Sequence, residues 1–150
     1  MSTTVKIILA VIVGFALLLF VIIGGAVYWW SQHSQEFLDA GKNAYKDGEE
    51  FGKKTDNRGC VAETIARHKV SPGFQTSIAD NIFLRACLNK SRPTTGFCDA
   101  VPKRTEFIKS GQWQKVQCTQ AGLSDSYCPQ LFSQVQQFCE EDFKQPQQKE

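Results

Sequence analysis

The sequence has few of the residues from which most catalytic and metal sites are built. It holds two histidines, and its six cysteines include no C-x2-C pair, the spacing typical of zinc sites and of thioredoxin-like motifs. It contains no P-loop, no G-x-G-x-x-G and no H-E-x-x-H. A net charge of +2 without any block of like charge is too weak for electrostatic binding to nucleic acid. The sequence therefore predicts a protein that has no catalytic residue, metal site or cofactor and does not bind nucleic acid.

Charge is also missing from residues 7–30, an uncharged run of 24 residues. As a helix this run would be about 36 Å long, enough to cross a bilayer core of about 30 Å. Its last residues are Tyr28, Trp29 and Trp30, and such aromatic side chains favour the membrane–water interface. The run predicts a transmembrane helix. The alternative is a signal peptide cleaved near Gly24, although signal sequences usually have shorter apolar cores of about 7–15 residues.

Flanking charges and cysteines predict the same orientation in the membrane. Residues 1–6 carry Lys6 and the terminal amine without an acid, and the next Lys or Arg after the apolar run is Lys42. The positive-inside rule then predicts a cytoplasmic N-terminus and an exported C-terminal domain. All six cysteines lie beyond the run, where an oxidising compartment would favour disulfides. We expect a single-pass protein of the inner (cytoplasmic) membrane, with its C-terminal domain in the periplasm or another exported space.

The remaining sequence predicts an all-α protein, because patterns that alternate apolar and polar residues are scarce. We expect a juxtamembrane helix or stalk over residues 31–56, a disulfide-stapled helical domain over residues 57–144 and a disordered tail over residues 145–150. Asn57-Arg58-Gly59 resembles a turn, and Ser110-Gly111 predicts a break in a helix. The clearest helix begins near Cys128, after a turn in which Ser124 or Ser126 would cap it.

Small residues recur at helical spacing in two places. Ala10 and Gly14 form a small-xxx-small pair inside the apolar run. Beyond it, one face of the juxtamembrane segment is lined by Gly41, Ala44, Gly48 and Gly52. Glycine costs about 1 kcal/mol relative to alanine within a helix, so three of them need compensation. We expect these faces to pack against another helix, in a partner or in a second copy of the chain; the alternative for residues 31–56 is a flexible stalk.

Six cysteines allow 15 pairings, but the order of the helices favours one of them. In an antiparallel hairpin the start of the first helix lies beside the end of the second, which brings Cys60 to Cys87. The same argument brings Cys98 to Cys139, and Cys118 and Cys128 flank a turn. The C-x19-C-x9-C-x10-C layout from Cys98 onward resembles the twin C-x9-C hairpins of the mitochondrial intermembrane space, although Gly122 interrupts the second interval. The resemblance keeps the mitochondrial inner membrane open as an alternative location.

The individual residues that could take part in catalysis or binding also have simple structural explanations. His68 lies between Arg67 and Lys69 in a run typical of a solvated face, and His33 is next to the membrane. Trp113 is expected in the core or, alternatively, as an anchor for a partner. We therefore expect a non-enzymatic accessory, assembly or scaffold subunit of an envelope membrane complex, whose partners are the bilayer and other membrane or envelope subunits. The alternatives are an exported module that binds a lipid or another small hydrophobic ligand, and an enzyme without a recognisable motif.

Overall fold

The computed structural model describes residues 3–144, and over this range the regular secondary structure consists of α-helices joined by turns and loops. Residues 1, 2 and 145–150 lie outside the description, as do the side chains of residues 3–7, 9, 10, 32–34, 36 and 142–144. The predicted tail at residues 145–150 is therefore not described. Apart from an isolated bridge between Asp56 and Arg92, residues 3–144 form no β-structure, which confirms the all-α prediction. The helices are α1 (Thr3–Gly52), α2 (Asn57–Val70), α3 (Phe74–Lys90), α4 (Phe107–Ala121) and α5 (Cys128–Lys144).

The chain divides into two compact units, Met1–Asp39 and the part that begins at Ala40. In the first unit, Val11–Ser31 is long and apolar enough to cross a bilayer, and none of it is buried within the protein. Its side chains, such as Phe20 and Ile23, are exposed along the helix. The length, composition and exposure of this helix are compatible with the predicted membrane span, and a signal sequence would have the same features.

The second unit includes the end of α1, which packs against α3. A Cβ atom added to Gly52 would lie 2.5 Å from the carbonyl oxygen of Cys87, and one added to Gly48 would collide with the carbonyl oxygen of Phe83. Gly41 faces Ile82. The predicted small-residue face therefore packs tightly on a helix, but that helix belongs to the same domain. The compact unit begins at Ala40 and therefore includes the end of α1 together with the disulfide-stapled helices.

α3 is the central helix of this unit. It packs against α2 and α5, while α4 packs against α5. Phe83, Leu84 and Leu88 of α3 form a core with Leu131 and Val135 of α5. α2 and α4 lie on this α3–α5 centre without packing closely on each other. A gap therefore remains between α2 and α4.

Helix boundaries differ from the expected ones where side chains cap or support the backbone. Asp56 accepts a hydrogen bond from the Gly59 amide, so the supposed turn at Asn57-Arg58-Gly59 is the first turn of α2. The start of α5 is capped by Asp125, which accepts hydrogen bonds from the Tyr127 and Cys128 amides. The cap is therefore not one of the two neighbouring serines, as the sequence had predicted. α4 continues through Gly111 without the predicted break.

Three disulfides staple the domain. They join Cys60 to Cys87, Cys98 to Cys139 and Cys118 to Cys128, with Cα–Cα distances of 5.7, 5.5 and 5.9 Å. This is the pairing that the order of the helices favours. Cys60–Cys87 ties the start of α2 to the end of α3, Cys118–Cys128 closes the turn between α4 and α5, and Cys98–Cys139 fastens the α3–α4 connection to α5.

The contact of α1 with α3 makes opposite predictions for two helical glycines. Gly48→Ala places a methyl group against the Phe83 carbonyl and should lower the free energy of unfolding by about 1–3 kcal/mol. Gly111→Ala in α4 meets no atom within 4 Å and should raise it by up to about 1 kcal/mol through helix propensity. Thermal unfolding of the oxidised, detergent-solubilised chain, followed by circular dichroism, compares the two variants. Equal stabilities would contradict the close packing.

Candidate functional site

The gap between α2 and α4 forms an open groove with a volume of about 350 Å³. Val61 and Ile65 of α2 form one wall, Trp113 of α4 forms the other, and Phe132 and Val135 of α5 lie at the bottom. Because these side chains are apolar and α2 does not close onto α4, the groove is a hydrophobic surface that remains accessible from outside the domain.

The rim of the groove is formed by the α3–α4 connection and by a few polar groups. Phe97 and Val101 line it from the connection, and the Phe97 ring packs edge-on against Phe138 at 6.2 Å. Arg58 at the start of α2 and Gln117 of α4 are the polar lining residues. Arg58 is exposed, so an apolar groove carries a cation at the end where α2 begins.

Trp113 is positioned by contacts between α4 and α5. Its ring meets Phe132 edge-on, with centroids 5.8 Å apart. One turn earlier, Ser110 donates a hydrogen bond to the Gln136 side chain, which is completely buried and donates in turn to the Pro102 carbonyl. These contacts fix α4 against α5. Trp113 is half-buried and packs against the core, which was one of the two expectations for it.

The predicted helix-packing residues do not form a shared site with this groove. Gly48 and Gly52 are buried under α3, Ala44 packs against the core, and Gly41 faces Ile82. In the first unit, a Cβ on Gly14 would meet nothing within 4 Å, and the side chain of Ala10 lies outside the described residues. The small-residue face of residues 41–52 is thus already covered, whereas Gly14 is on an open helix surface.

His68 is the clearest departure from the sequence prediction, because it is completely buried and not part of a solvated face. Its Nδ1 lies 2.8 Å from Asp80 Oδ2, and its Nε2 lies 3.1 Å from Asp125 Oδ1. The imidazole therefore bridges the end of α2, the first half of α3 and the cap of α5. When both carboxylates are ionised, both ring nitrogens must donate, and the ring is an imidazolium.

The pKa values in this cluster follow from burial and from these hydrogen bonds. Burial alone would lower the pKa of His68, but the hydrogen bonds and charges of Asp80 and Asp125 outweigh it and raise the pKa. Burial raises the pKa of Asp80, a shift that the bond from His68 reduces. For Asp125 burial acts in the same direction, but bonds from His68 and the Tyr127 amide lower the pKa overall.

His68 connects the helices and exposes none of its side chain to solvent. Both nitrogens of His68 are occupied and its side chain has no exposed surface, so it cannot accept a proton from an external substrate. A weak sequence signal was available: Asp80 falls on the same face of α3 as Leu84 and Cys87. A carboxylate on a buried face requires a buried partner.

The charged state of His68 predicts a pH-dependent stability. Because its folded-state pKa is raised above the usual value of about 6.5, this stabilisation is fully present below that pH and is lost as the pH rises through the folded-state pKa. The thermal midpoint of the oxidised chain should therefore fall between slightly acidic and alkaline pH. His68→Gln should remove this dependence and cost about 1–3 kcal/mol at about pH 6. A variant with an unchanged pH dependence would contradict the assignment.

Comparison with known proteins found no match for this chain. No protein-family model, no curated protein and no solved structure matches the chain. The groove, the buried His68 cluster and the apolar N-terminal helix are therefore the features on which a function can be argued.

Proposed function

We propose that the protein is a membrane-anchored, non-enzymatic accessory or scaffold subunit whose exported domain binds a segment of another envelope protein. The observation that carries this proposal is the open groove between α2 and α4, lined by Val61, Ile65 and Trp113. A groove between helices is the surface into which an amphipathic helix places its apolar face. The partner would belong to the same membrane complex.

The openness of the groove favours a protein segment over an enclosed ligand. Sites for small molecules usually bury about 70–90% of the ligand. In this groove Ala62 of α2 and Ala100 of the α3–α4 connection are lining residues that stay exposed, so a bound segment would remain partly open to solvent. Trp113, held in place by Phe132, is the type of residue that contributes most to binding when a partner covers it.

The positive charge of Arg58 at the groove indicates which residues the partner segment should carry. Arg58 is exposed beside the apolar lining. A guanidinium forms its best-oriented bonds with a carboxylate. The fitting segment therefore presents apolar side chains along one face and an Asp or Glu at the end that meets Arg58.

Anchoring and orientation are supported by the sequence and by the disulfides. Val11–Ser31 satisfies the length and composition of a membrane span. Lys6 precedes it, and three disulfides follow it, a combination that fits a cytoplasmic N-terminus and an oxidising compartment for the domain. A bacterial periplasm is the proposed compartment, with the mitochondrial intermembrane space as the alternative.

A second candidate function is the binding of a lipid or another small hydrophobic molecule. It is favoured by the apolar lining of the groove and by its volume of about 350 Å³, which is within the usual range of ligand sites. A single acyl chain with an anionic head could place that head at Arg58. The two candidates differ in whether the groove binds a protein or a lipid.

Retention and sidedness of the anchor can be tested directly. In spheroplasts, from which the outer barrier has been removed, added protease should degrade the domain after Ser31, and the mature protein should keep the mass of the full chain. Thiol labelling of the denatured protein without reductant should modify no cysteine, because all six form disulfides. A mass lower by about 26 residues would show a cleaved signal, and a protected C-terminus would reverse the orientation.

Occupancy of the groove can be tested with two alanines of α2. A photoactivatable phenylalanine at Ala62, which lines the groove, should give a discrete protein adduct in native membranes. The same residue at Ala66, exposed on α2 but outside the lining, is the matched control. Arg58→Glu should lower the Ala62 adduct about ten-fold if a carboxylate pairs with Arg58, which corresponds to about 1.4 kcal/mol.

The outcomes of this experiment separate the two candidates. A protein adduct from Ala62 and not from Ala66 supports the scaffold function. An adduct of lipid mass only would favour the ligand-binding alternative. Equal adducts from both positions, or none from either, would contradict the proposed use of the groove.

A further inference from the structure

The end of the domain at which the chain enters carries exposed apolar side chains. Val70 is 86% exposed and Phe74 is 64% exposed. The ring of Phe74 lies 6.4 Å from that of Tyr127. These residues, the entry-end patch (Val70, Phe74 and Tyr127), come from the α2–α3 turn and from the start of α5. Exposed apolar side chains that neighbour one another are typical of surfaces that contact a membrane or another molecule.

The position of the patch within the domain follows from the packing of α1 on α3. Gly48 faces Phe83, and Gly52, one turn later, faces Cys87. Residue numbers rise together along the two helices, so they run parallel. The start of α3, and with it Phe74, therefore lies at the end of the unit where Ala40 enters.

The chain itself keeps this end close to a bilayer. The candidate span ends at Ser31, and the compact unit begins at Ala40, nine residues later. Even a fully extended chain of this length reaches only about 30 Å. A surface tethered so closely meets the membrane at a high effective concentration, so that weak contacts are sufficient.

We propose that the entry-end patch rests in the headgroup region of the membrane to which the chain is anchored. This inference depends on the anchor in the proposed function and is independent of the groove. Phenylalanine and tyrosine are suited to the interface, where an apolar ring meets lipid while polar groups stay hydrated. Lys69 adds a cation at the same end, since its Nζ approaches Gly122 in the turn before α5. The lipid is thus expected to include anionic headgroups.

Three phenylalanines provide a matched set for the test. Phe74 is in the patch, Phe20 lies within the candidate span and is 78% exposed, and Phe107 is 84% exposed. Phe107 begins α4, whose other end is joined by Cys118–Cys128 to the start of α5. It therefore lies at the opposite end of the domain from Tyr127. Each is replaced singly by a photoactivatable phenylalanine in the full chain, which is reconstituted in phosphatidylcholine vesicles with or without phosphatidylglycerol.

Mass spectrometry of the phospholipid adducts then gives a direct result. Phe20 and Phe74 should both form lipid adducts, and Phe74 should form about ten-fold more than Phe107 because only its end is tethered near the bilayer. Phosphatidylglycerol should increase the Phe74 yield, and added salt should reduce that increase.

Each other outcome overturns the inference in a recognisable way. Lipid adducts at Phe20 but not at Phe74 would show an anchored chain whose patch avoids the membrane. Equal yields at Phe74 and Phe107 would show no preferred face, and a dimer adduct at Phe74 would identify a second copy as the occupant. An absence of adducts at Phe20 would refute the anchor, and the inference would fail with the proposed function.

Discussion

The close approach of α1 to α3 constrains the rest of the domain. Two glycines of α1 lie against backbone carbonyl groups of α3, at Phe83 and Cys87, where any larger side chain would separate the helices. The other faces of α3 contact α2 and α5. The Cys60–Cys87 disulfide joins α3 to α2. The helical cost of the glycines is offset by close contact with the central helix, which also packs against α2 and α5.

This domain achieves a fixed arrangement with a small apolar core. The core of the described residues relies on a few large side chains of α3 and α5, and half-cystines account for much of the remainder. The disulfides span 27, 41 and 10 residues, and in the chain-entropy model each contributes about 3–4 kcal/mol by restricting the unfolded chain. A protein of this kind depends on an oxidising compartment for its stability, which agrees with the proposed export of the domain.

Buried polar groups determine how the stapled helices are oriented. His68 links α2 to α3 and to the cap of α5, and Gln136 links α5 to Ser110 and to the Pro102 carbonyl. Asn57 donates to Ser91 and accepts from the Thr94 amide at the start of α2. Each of these groups is satisfied only in one arrangement of its neighbours, so they give specificity where the apolar contacts are few.

Local patterns predicted the parts of the fold that depend on neighbours in sequence. The apolar spacing of α5, the glycine periodicity of α1 and the cysteines at helix ends all reflect such neighbours. The His68 cluster could not be derived in this way, because its partners lie 12 and 57 residues away. The groove is a gap between two helices that fail to meet, and no sequence period records a missing contact. The break predicted at Ser110-Gly111 was wrong, because α4 continues through both residues. Ser110 donates a hydrogen bond there to Gln136 of α5, a contact that the local sequence does not reveal.

The internal use of the small-residue face changes where a partner can bind. Residues 41–52 were expected to receive a helix of another chain, but a second helix there would have to displace α3 and expose Phe83 and Cys87 to solvent. Association with another chain through small residues stays a prediction for the apolar segment, where a Cβ added to Gly14 would meet no atom within 4 Å. For the disulfide-stapled domain, the proposed binding site is instead the groove beside Trp113, where a partner would cover apolar surface without breaking an existing contact.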